Sequence, residues 1–165
     1  MSEALFEQLF ASHHDAIRRY CRRRLDGPAA EDAAADIFVV AWRRIAEVPA
    51  GDSALLWLYG VARNVVARSR RSANRRGRLN AKVLSLGAAA QEPPETVVLR
   101  SSEEEELLAG LAKLRPDDQE ILRLKTWEEL SHAEISSVLG ISVSAVDARA
   151  SRALKRLSRI VKGEA

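Results

Sequence analysis

Apolar side chains recur every three or four residues along most of this chain, and this helical period is the strongest constraint on its fold. The recurrence begins at Phe6, Phe10, Ile17 and Cys21. It continues through the first half at Ile37, Ala41, Ile45, Leu58, Ala62, Val65 and Val66. No stretch alternates between apolar and polar residues for long enough to form a strand. The pattern predicts an all-α protein.

Turn-forming residues and one irregular segment divide this pattern into two small helical domains. Breaks at residues 26–28 and 49–53 predict three helices within residues 3–74, in a first domain that spans residues 3–76. Residues 77–102 lack helical periodicity and contain two consecutive prolines, which predicts an extended linker. The period returns over residues 103–161 and predicts a second domain of four short helices.

Length and cysteine content exclude several classes of protein. The chain has 165 residues, enough for one ordinary domain or two small ones. Its one cysteine cannot form an internal disulfide, which argues against a disulfide-stapled secreted fold. No apolar run is long enough to span a membrane, and the first ten residues carry acids rather than a basic signal region. We therefore expect a cytoplasmic protein.

The net charge of +3 conceals two strongly basic segments. Residues 63–78 hold seven arginines and no acid, and residues 149–162 hold six lysines and arginines and no acid. Two separate basic stripes are typical of a protein that binds a polyanion such as nucleic acid. Each stripe taken alone is also compatible with a solvated helix face.

The second half contains a helix-turn-helix signal. Ser131 and Glu134 have the spacing of a capping box, Gly140 is suited to end the helix that follows, and Ser142 can cap the next one. A short glycine-containing turn between two helices, the second of them basic, is typical of a helix whose side chains enter the major groove.

The predicted recognition helix has one apolar and one polar face. Arg152 can bond guanine in two places, and Asp147 can accept from the amino group of cytosine, so these two are the base-reading candidates. Asp147 also fits a partner for the helix dipole. The predicted core positions are Val146, Ala150, Ala153, Leu157 and Ile160, and the predicted DNA-facing set is Ser144, Asp147, Ala148, Arg149, Ser151, Arg152 and Lys155.

Three segments, taken in order, resemble one family. Residues 30–42, AEDAAADIFVVAW, resemble the polymerase-binding helix of bacterial sigma factors, residues 57–66 resemble their promoter-melting helix, and residues 130–157 resemble their minus-thirty-five helix-turn-helix. With two helical domains only, the chain resembles the extracytoplasmic-function (ECF) group. The resemblance implies a sigma factor that binds core RNA polymerase through its largest-subunit clamp helices and its flap. It also implies promoter-specific transcription initiation and control by an anti-sigma factor.

The resemblance assigns roles to residues of the first domain. Asp32, Asp36, Phe38 and Trp42 match the family's polymerase-binding pattern, with core packing as the alternative for the two aromatic residues. Ala35 stands where the family usually has glutamine. The loop 48–53 corresponds to a pocket for a flipped minus-ten base. The residues that the resemblance assigns to minus-ten DNA are Asp52, Ser53, Trp57, Arg63, Asn64, Arg68 and Arg71.

Two other classes of function stay open from the residues alone. One is a stand-alone helix-turn-helix regulator whose first domain senses a signal or dimerises. The other is an enzyme or metal protein using His13, His14 and Cys21, although these residues lack an acid partner and make a poor metal site. No phosphate-cradling loop or nucleophile motif is present. We therefore expect neither enzymatic activity nor a cofactor.

Overall fold

The computed structural model describes residues 1–84 and 101–163, without side-chain detail for residues 81–84. These described residues form seven α-helices and no strand, which confirms the all-α prediction. The chain separates into two compact units, residues 1–92 and residues 93–165. Among the described helices, none combines the length and the apolar character needed to cross a bilayer.

The described part of the first unit, residues 1–84, contains three α-helices and one short 3-10 turn. Helix α1 spans Ser2–Arg22, α2 spans Gly27–Arg43, a 3-10 turn covers Ile45–Glu47, and α3 spans Ser53–Leu84. Pro28 lies in the first turn of α2. Backbone N–H groups there have no intrahelical acceptor, so the absence of an N–H in proline removes no helical hydrogen bond. Gly51 has φ +68 in the loop before α3, a conformation that favours glycine.

The core of the first unit forms where the three helices meet. Ile17, Ile37 and Leu58, one from each helix, are completely buried. Helix α2 contributes mostly alanines to this interface: Ala30, Ala33, Ala34 and Ala41 are buried. Small side chains let the neighbouring helices approach closely. The first domain is therefore held by side chains that recur at the helical spacing seen in the sequence.

Helix α3 is longer than the sequence pattern predicts. It continues to Leu84, so residues 77–84 are helical instead of forming the start of an extended linker. Arg78 and the residues around it are exposed, and the helix there rests on no core. Its residues, apart from Gly77, mostly have favourable helix propensity, which carries the helix past the end of the apolar period. The remainder of the predicted linker, residues 85–100, lies outside the described residues.

Four helices lie in the described part of the second unit, residues 101–163. Helix α4 spans Ser102–Ala112, α5 spans Pro116–Thr126, α6 spans His132–Leu139 and α7 spans Val143–Val161. Ile121, Leu124, Ile135 and Val146 are completely buried and link α5, α6 and α7. The last turns of α7 also contact α4.

Helices α4 and α7 come together at a glycine. A Cβ atom at Gly110 would lie 3.2 Å from Leu157 Cδ1 and 3.3 Å from Val161 Cγ2. Ala153, Leu111 and Leu114 are buried in this cluster, with Leu157 and Ile160 packed against it. This packing confirms the predicted core face of α7.

Candidate functional site

Helix α2 presents a continuous exposed stripe on the side away from its buried face. Asp32, Asp36, Val39 and Trp42 follow one another at spacings of four, three and three residues, and all four are exposed. Residues at these spacings lie side by side on a helix. The two carboxylates predicted to bind a partner therefore share one accessible surface with an apolar and an aromatic side chain.

Phe38 and Trp42, which the sequence grouped together, have different positions. Phe38 is only 4% exposed, while Trp42 is 47% exposed. The Phe38 ring lies 4.9 Å from the ring of Phe10, and Trp42 packs edge-on against Phe6 at 5.3 Å. Phe38 thus belongs to the core, and Trp42 offers a large part of its ring to a partner.

Helix α1 also contributes to this surface, and its residues were not among the predicted site residues. Phe10 stacks on His14 with ring centroids 4.4 Å apart, and Phe10 is itself 40% exposed. Phe6 and Phe10 belong to the apolar period that the sequence shows along α1. The four-residue spacing of Phe6, Phe10 and His14 was the available signal for an aromatic ridge along α1. This ridge joins the α2 stripe through Phe6 and Trp42.

Helix α3 collects most of the predicted minus-ten residues on one face. At 3.6 residues per turn, Ser53, Trp57, Arg68 and Arg71 all lie within about 40° of Asn64 around the helix axis. Asn64, Arg68 and Arg71 are exposed, and Trp57 is half-buried. Arg75 and Arg78, which the site prediction omitted, extend the same exposed face. Two of the predicted residues lie apart: Asp52 precedes the helix, and Arg63 points about 100° away.

The Trp57 side chain is bordered by an arginine from the end of α2. The guanidinium carbon of Arg44 lies 5.3 Å from the centre of the Trp57 ring, within range of a cation–π interaction. Arg44 Nε also donates to Glu47 Oε2 at 2.9 Å, and this hydrogen bond holds the pKa of the Glu47 carboxyl below its ordinary value. These contacts connect the 3-10 turn to the exposed face of α3.

The loop before α3 also lines a cavity of about 420 Å³. Val48, Pro49 and Gly51 form one wall, and Leu9 and His13 of α1 contribute to another. Burial lowers the pKa of His13. Its lining includes none of the exposed α3 residues Asn64, Arg68 and Arg71.

Helix α7 separates its buried and exposed positions as the sequence predicts. Val146, Ala150 and Ala153 are buried. Six of the seven predicted DNA-facing residues are exposed: Ser144, Asp147, Ala148, Ser151, Arg152 and Lys155. Arg149 is the exception, since it is half-buried and lies about 140° from Ser144 around the axis.

Local hydrogen bonds define where α6 and α7 begin, and a left-handed glycine ends α6. Ser131 Oγ accepts from the Glu134 amide at 3.1 Å, and the Ser131 amide donates to Glu134 Oε1 at 3.0 Å, so the predicted capping box is present. Gly140 adopts φ +68 at the end of α6. Ser142 Oγ accepts from the Ala145 amide at 3.1 Å and caps α7. The described residues thus contain a complete helix-turn-helix.

Asp147 is paired across this motif with a residue that the sequence analysis did not single out. His132 Nδ1, at the first position of α6, contacts Asp147 Oδ1. The Asp147 side chain remains 59% exposed and that of His132 is 29% exposed. The pair therefore lies at the surface, on the same side as the other exposed residues of α7.

The residues weighed for metal or redox chemistry have different surroundings in the structure. Cys21 is completely buried, and burial raises the pKa of its thiol to about 12. His14 stacks on Phe10, and His13 lines the cavity beside the loop. Within residues 1–84 and 101–163, no three His, Cys, Asp or Glu side chains form a group that could hold a metal ion.

Two family descriptions match the chain, one in each compact unit. Residues 9–76 match Sigma-70 region 2, and residues 104–157 match Sigma-70, region 4. The first match contains the α2 stripe and the α3 face as far as Arg75. The second contains the helix-turn-helix and most of α7.

Curated relatives match along nearly the whole chain. The ECF RNA polymerase sigma factor BldN of Streptomyces coelicolor is 31% identical over 97% of this chain, which spans 61% of the BldN length. The RNA polymerase sigma factor YlaC of Bacillus subtilis is 30% identical over 93% of this chain and 90% of its own length.

A solved structure supports the fold. The sigma factor RpoE of Bartonella quintana, in a co-crystal structure with the anti-sigma factor NepR, matches with a TM-score of 0.64 and 22% identity. The match covers 95% of this chain and 96% of that chain.

Proposed function

The chain belongs to the sigma-70 family of RNA polymerase sigma factors, within the ECF group, and we propose that three surfaces divide its promoter-directing work. The exposed stripe of α2 and the aromatic ridge of α1, together called the α1–α2 surface, would bind core RNA polymerase. The α3 face would bind minus-ten DNA, and α7 would read the minus-thirty-five element.

One observation carries the proposal: the two family matches coincide with two separate helical units, in order along the chain. The match to Sigma-70 region 2 covers residues 9–76 of the first unit, so a sensor or dimerisation domain is not needed to explain these residues. The alternative of a stand-alone helix-turn-helix regulator is therefore not favoured.

The polymerase-binding surface combines charge with exposed aromatic area. Asp32 and Asp36 provide negative charge, which favours a basic partner surface and steers association. Trp42 is a large exposed ring supported from beneath by Phe6, and aromatic anchors commonly dominate binding energy at interfaces. Phe38 supports this surface from the core.

The minus-ten surface combines a basic helix face with polar and aromatic side chains. Arg68 and Arg71 can neutralise backbone phosphates, and Asn64 can bond a base edge that is exposed once the strands separate. Trp57 is half-buried and held beside Arg44, so a smaller part of its ring is available for stacking.

The minus-thirty-five surface is the exposed face of α7. Arg152 suits bidentate bonding to guanine, while Ser144, Ser151 and Lys155 surround it with donors for bases or phosphates. Arg149, which lies away from this face, is better placed for a flanking phosphate than for a base.

The proposed function also implies where the protein acts, which protein carries out catalysis, and a further binding partner. Action on polymerase and promoter DNA places the protein in the cytoplasm. The catalytic step would belong to the polymerase, so the chain needs no active site of its own. An anti-sigma factor would bind the exposed α1–α2 surface and thereby compete with polymerase, as NepR is paired with a sigma factor in the structure matched above.

The experiment that tests this function is transcription with purified components. Core RNA polymerase from a related bacterium, incubated with the full chain and a promoter library, should start transcription at a defined subset of sequences sharing two elements. Core polymerase alone and the full chain alone are the controls. Initiation that is absent, or that does not depend on promoter sequence, would contradict the proposal.

Single-surface variants separate the three roles. Asp32→Asn with Asp36→Asn should weaken binding of core polymerase while the fold is retained. Arg68→Ala with Arg71→Ala should lower the salt dependence of open-complex formation, and the matched Arg68→Lys, Arg71→Lys pair should preserve it because the charge is kept. Arg152→Ala should cost about 1–3 kcal/mol at one upstream base pair. An equal loss on all sequences would instead identify Arg152 as a phosphate contact.

A further inference from the structure

His132 and Asp147 form a side-chain pair that the assigned roles above leave unused. The two residues are 15 positions apart in sequence and belong to different helices of the helix-turn-helix. Their contact joins Nδ1 of the imidazole to Oδ1 of the carboxylate. A carboxylate can only accept hydrogen bonds, so Nδ1 must carry the proton and donate it.

The backbone on both sides of the pair is fixed. His132 directly follows Ser131, whose hydroxyl and amide are both engaged by Glu134 in the capping box. Asp147 lies in the second turn of α7, which Ser142 caps. Because Ile135 and Val146 are completely buried between these helices, the two side chains start from rigid positions.

The pairing changes what Asp147 can do at DNA. An isolated carboxylate on the recognition helix would repel phosphates and could turn freely about its side-chain bonds. The Nδ1–H donor removes part of that freedom and partly offsets the negative charge. Oδ2 stays available as an acceptor, and the side chain remains mostly exposed.

We propose that His132 is a positioning residue for minus-thirty-five specificity, which holds Asp147 so that Oδ2 accepts from a base amino group in the major groove. Such amino groups belong to cytosine and adenine, and a carboxylate acceptor is suited to cytosine N4 in particular. This inference rests on the proposed function, because it requires α7 to be the recognition helix.

Binding of holoenzyme to promoters randomised at the upstream element tests the inference. Asp147→Ala should reduce the preference for an amino-bearing base at one position by about tenfold. His132→Ala should reduce the preference at that same position several-fold, and the double variant should lose no more than Asp147→Ala alone. His132→Asn, whose amide Nδ2 takes the position of the imidazole Nδ1 and can donate in its place, should recover much of the preference. Separate cytosine and adenine probes at that position identify which amino group is read.

Control variants distinguish specificity from folding. Ser137→Ala changes an exposed residue on the same helix and should leave the preference unchanged. A merely structural role for His132 would lower thermal stability and weaken binding to every sequence alike, and His132→Asn would not restore base preference. That result would overturn the inference, as would an unchanged preference in His132→Ala.

Failure of the proposed function gives a different result. Wild-type holoenzyme would then show no preference for any upstream sequence. A wild-type preference that does not depend on residue 132 would overturn only the role given to His132.

Discussion

Arg18 on α1 donates from Nε to the Glu31 carboxylate on α2 across 3.0 Å. Arg22, one turn further along α1, donates to the same carboxylate oxygen at 2.9 Å. These hydrogen bonds hold the pKa of the Glu31 carboxyl below its ordinary value of 4.5. One surface carboxylate therefore joins the C-terminal half of α1 to the start of α2.

We expect this contact to make the first unit sensitive to acid. A folded-state pKa below the unfolded value means that the contribution to stability is present above pH 4.5 and lost as pH falls through the folded pKa. Glu31→Gln should therefore lower stability at pH 7 and change it less at pH 3. Urea unfolding is measured in a Trp127→Phe background. The tryptophan fluorescence then comes only from Trp42 and Trp57, so it reports on the first unit.

Glu7→Gln, on an exposed part of α1, is the matched control for Glu31→Gln. The stability of Glu7→Gln should fall with decreasing pH as much as that of the unsubstituted background. If Glu31→Gln has the same pH dependence as the unsubstituted background, the contact contributes nothing to stability.

Gly140→Ala should destabilise the helix-turn-helix by about 1–2 kcal/mol, because a residue with a Cβ is disfavoured in the left-handed conformation. Gly140 has φ +68 between α6 and α7. Gly77→Ala makes the same chemical change inside α3, where nothing lies within 4 Å of the added Cβ, and should stabilise by about 0.5–1 kcal/mol. Denaturant unfolding of both variants measures these opposite effects. Effects of the same sign would show that backbone conformation does not decide the outcome.

Phe38→Ala and Trp42→Ala should separate stability from binding. Phe38 is buried, so its truncation should cost about 3–5 kcal/mol of unfolding free energy. Trp42 is nearly half exposed, so its truncation should cost far less stability and weaken polymerase binding at least tenfold, about 1.4 kcal/mol. Calorimetry and a core-polymerase binding titration measure the two effects. Unchanged affinity in Trp42→Ala would move the binding surface away from this ring.

Cys21 should resist thiol reagents in the folded protein. Burial raises the pKa of its thiol to about 12, so almost no reactive thiolate exists at pH 8. Labelling with a disulfide reagent should be slow in buffer and fast in urea. Ser137→Cys in a Cys21→Ala background supplies an exposed thiol that should react quickly. Rapid labelling of native Cys21 would reopen a redox role.

Local sequence signals predicted the helix-turn-helix well, because its determinants are short-range. Ser131, Glu134, Gly140 and Ser142 act on backbone groups within a few residues, so spacing alone identifies them. The core face of α7 follows equally from periodicity. The assignment of this region to a family then rests on the order of several such motifs.

Positions that depend on neighbouring helices could not be predicted in this way. Periodicity shows that Trp42 and Phe10 lie on apolar faces, but the amount of each ring that is covered depends on how α1 packs against α2. The His132–Asp147 contact requires the angle between α6 and α7. The end of α3 was placed too early because the apolar pattern stops before helix propensity does.

Helix α3 is uninterrupted, so the direction in which its basic C-terminal part faces is set relative to the minus-ten face. With 32 residues at 1.5 Å each, the helix is about 48 Å long and has no break between Asn64 and Arg78. Every added or deleted residue between them would turn Arg78 by about 100° relative to Asn64. This part of the chain therefore tolerates substitutions more readily than changes in length, because its arginines act in phase with one another.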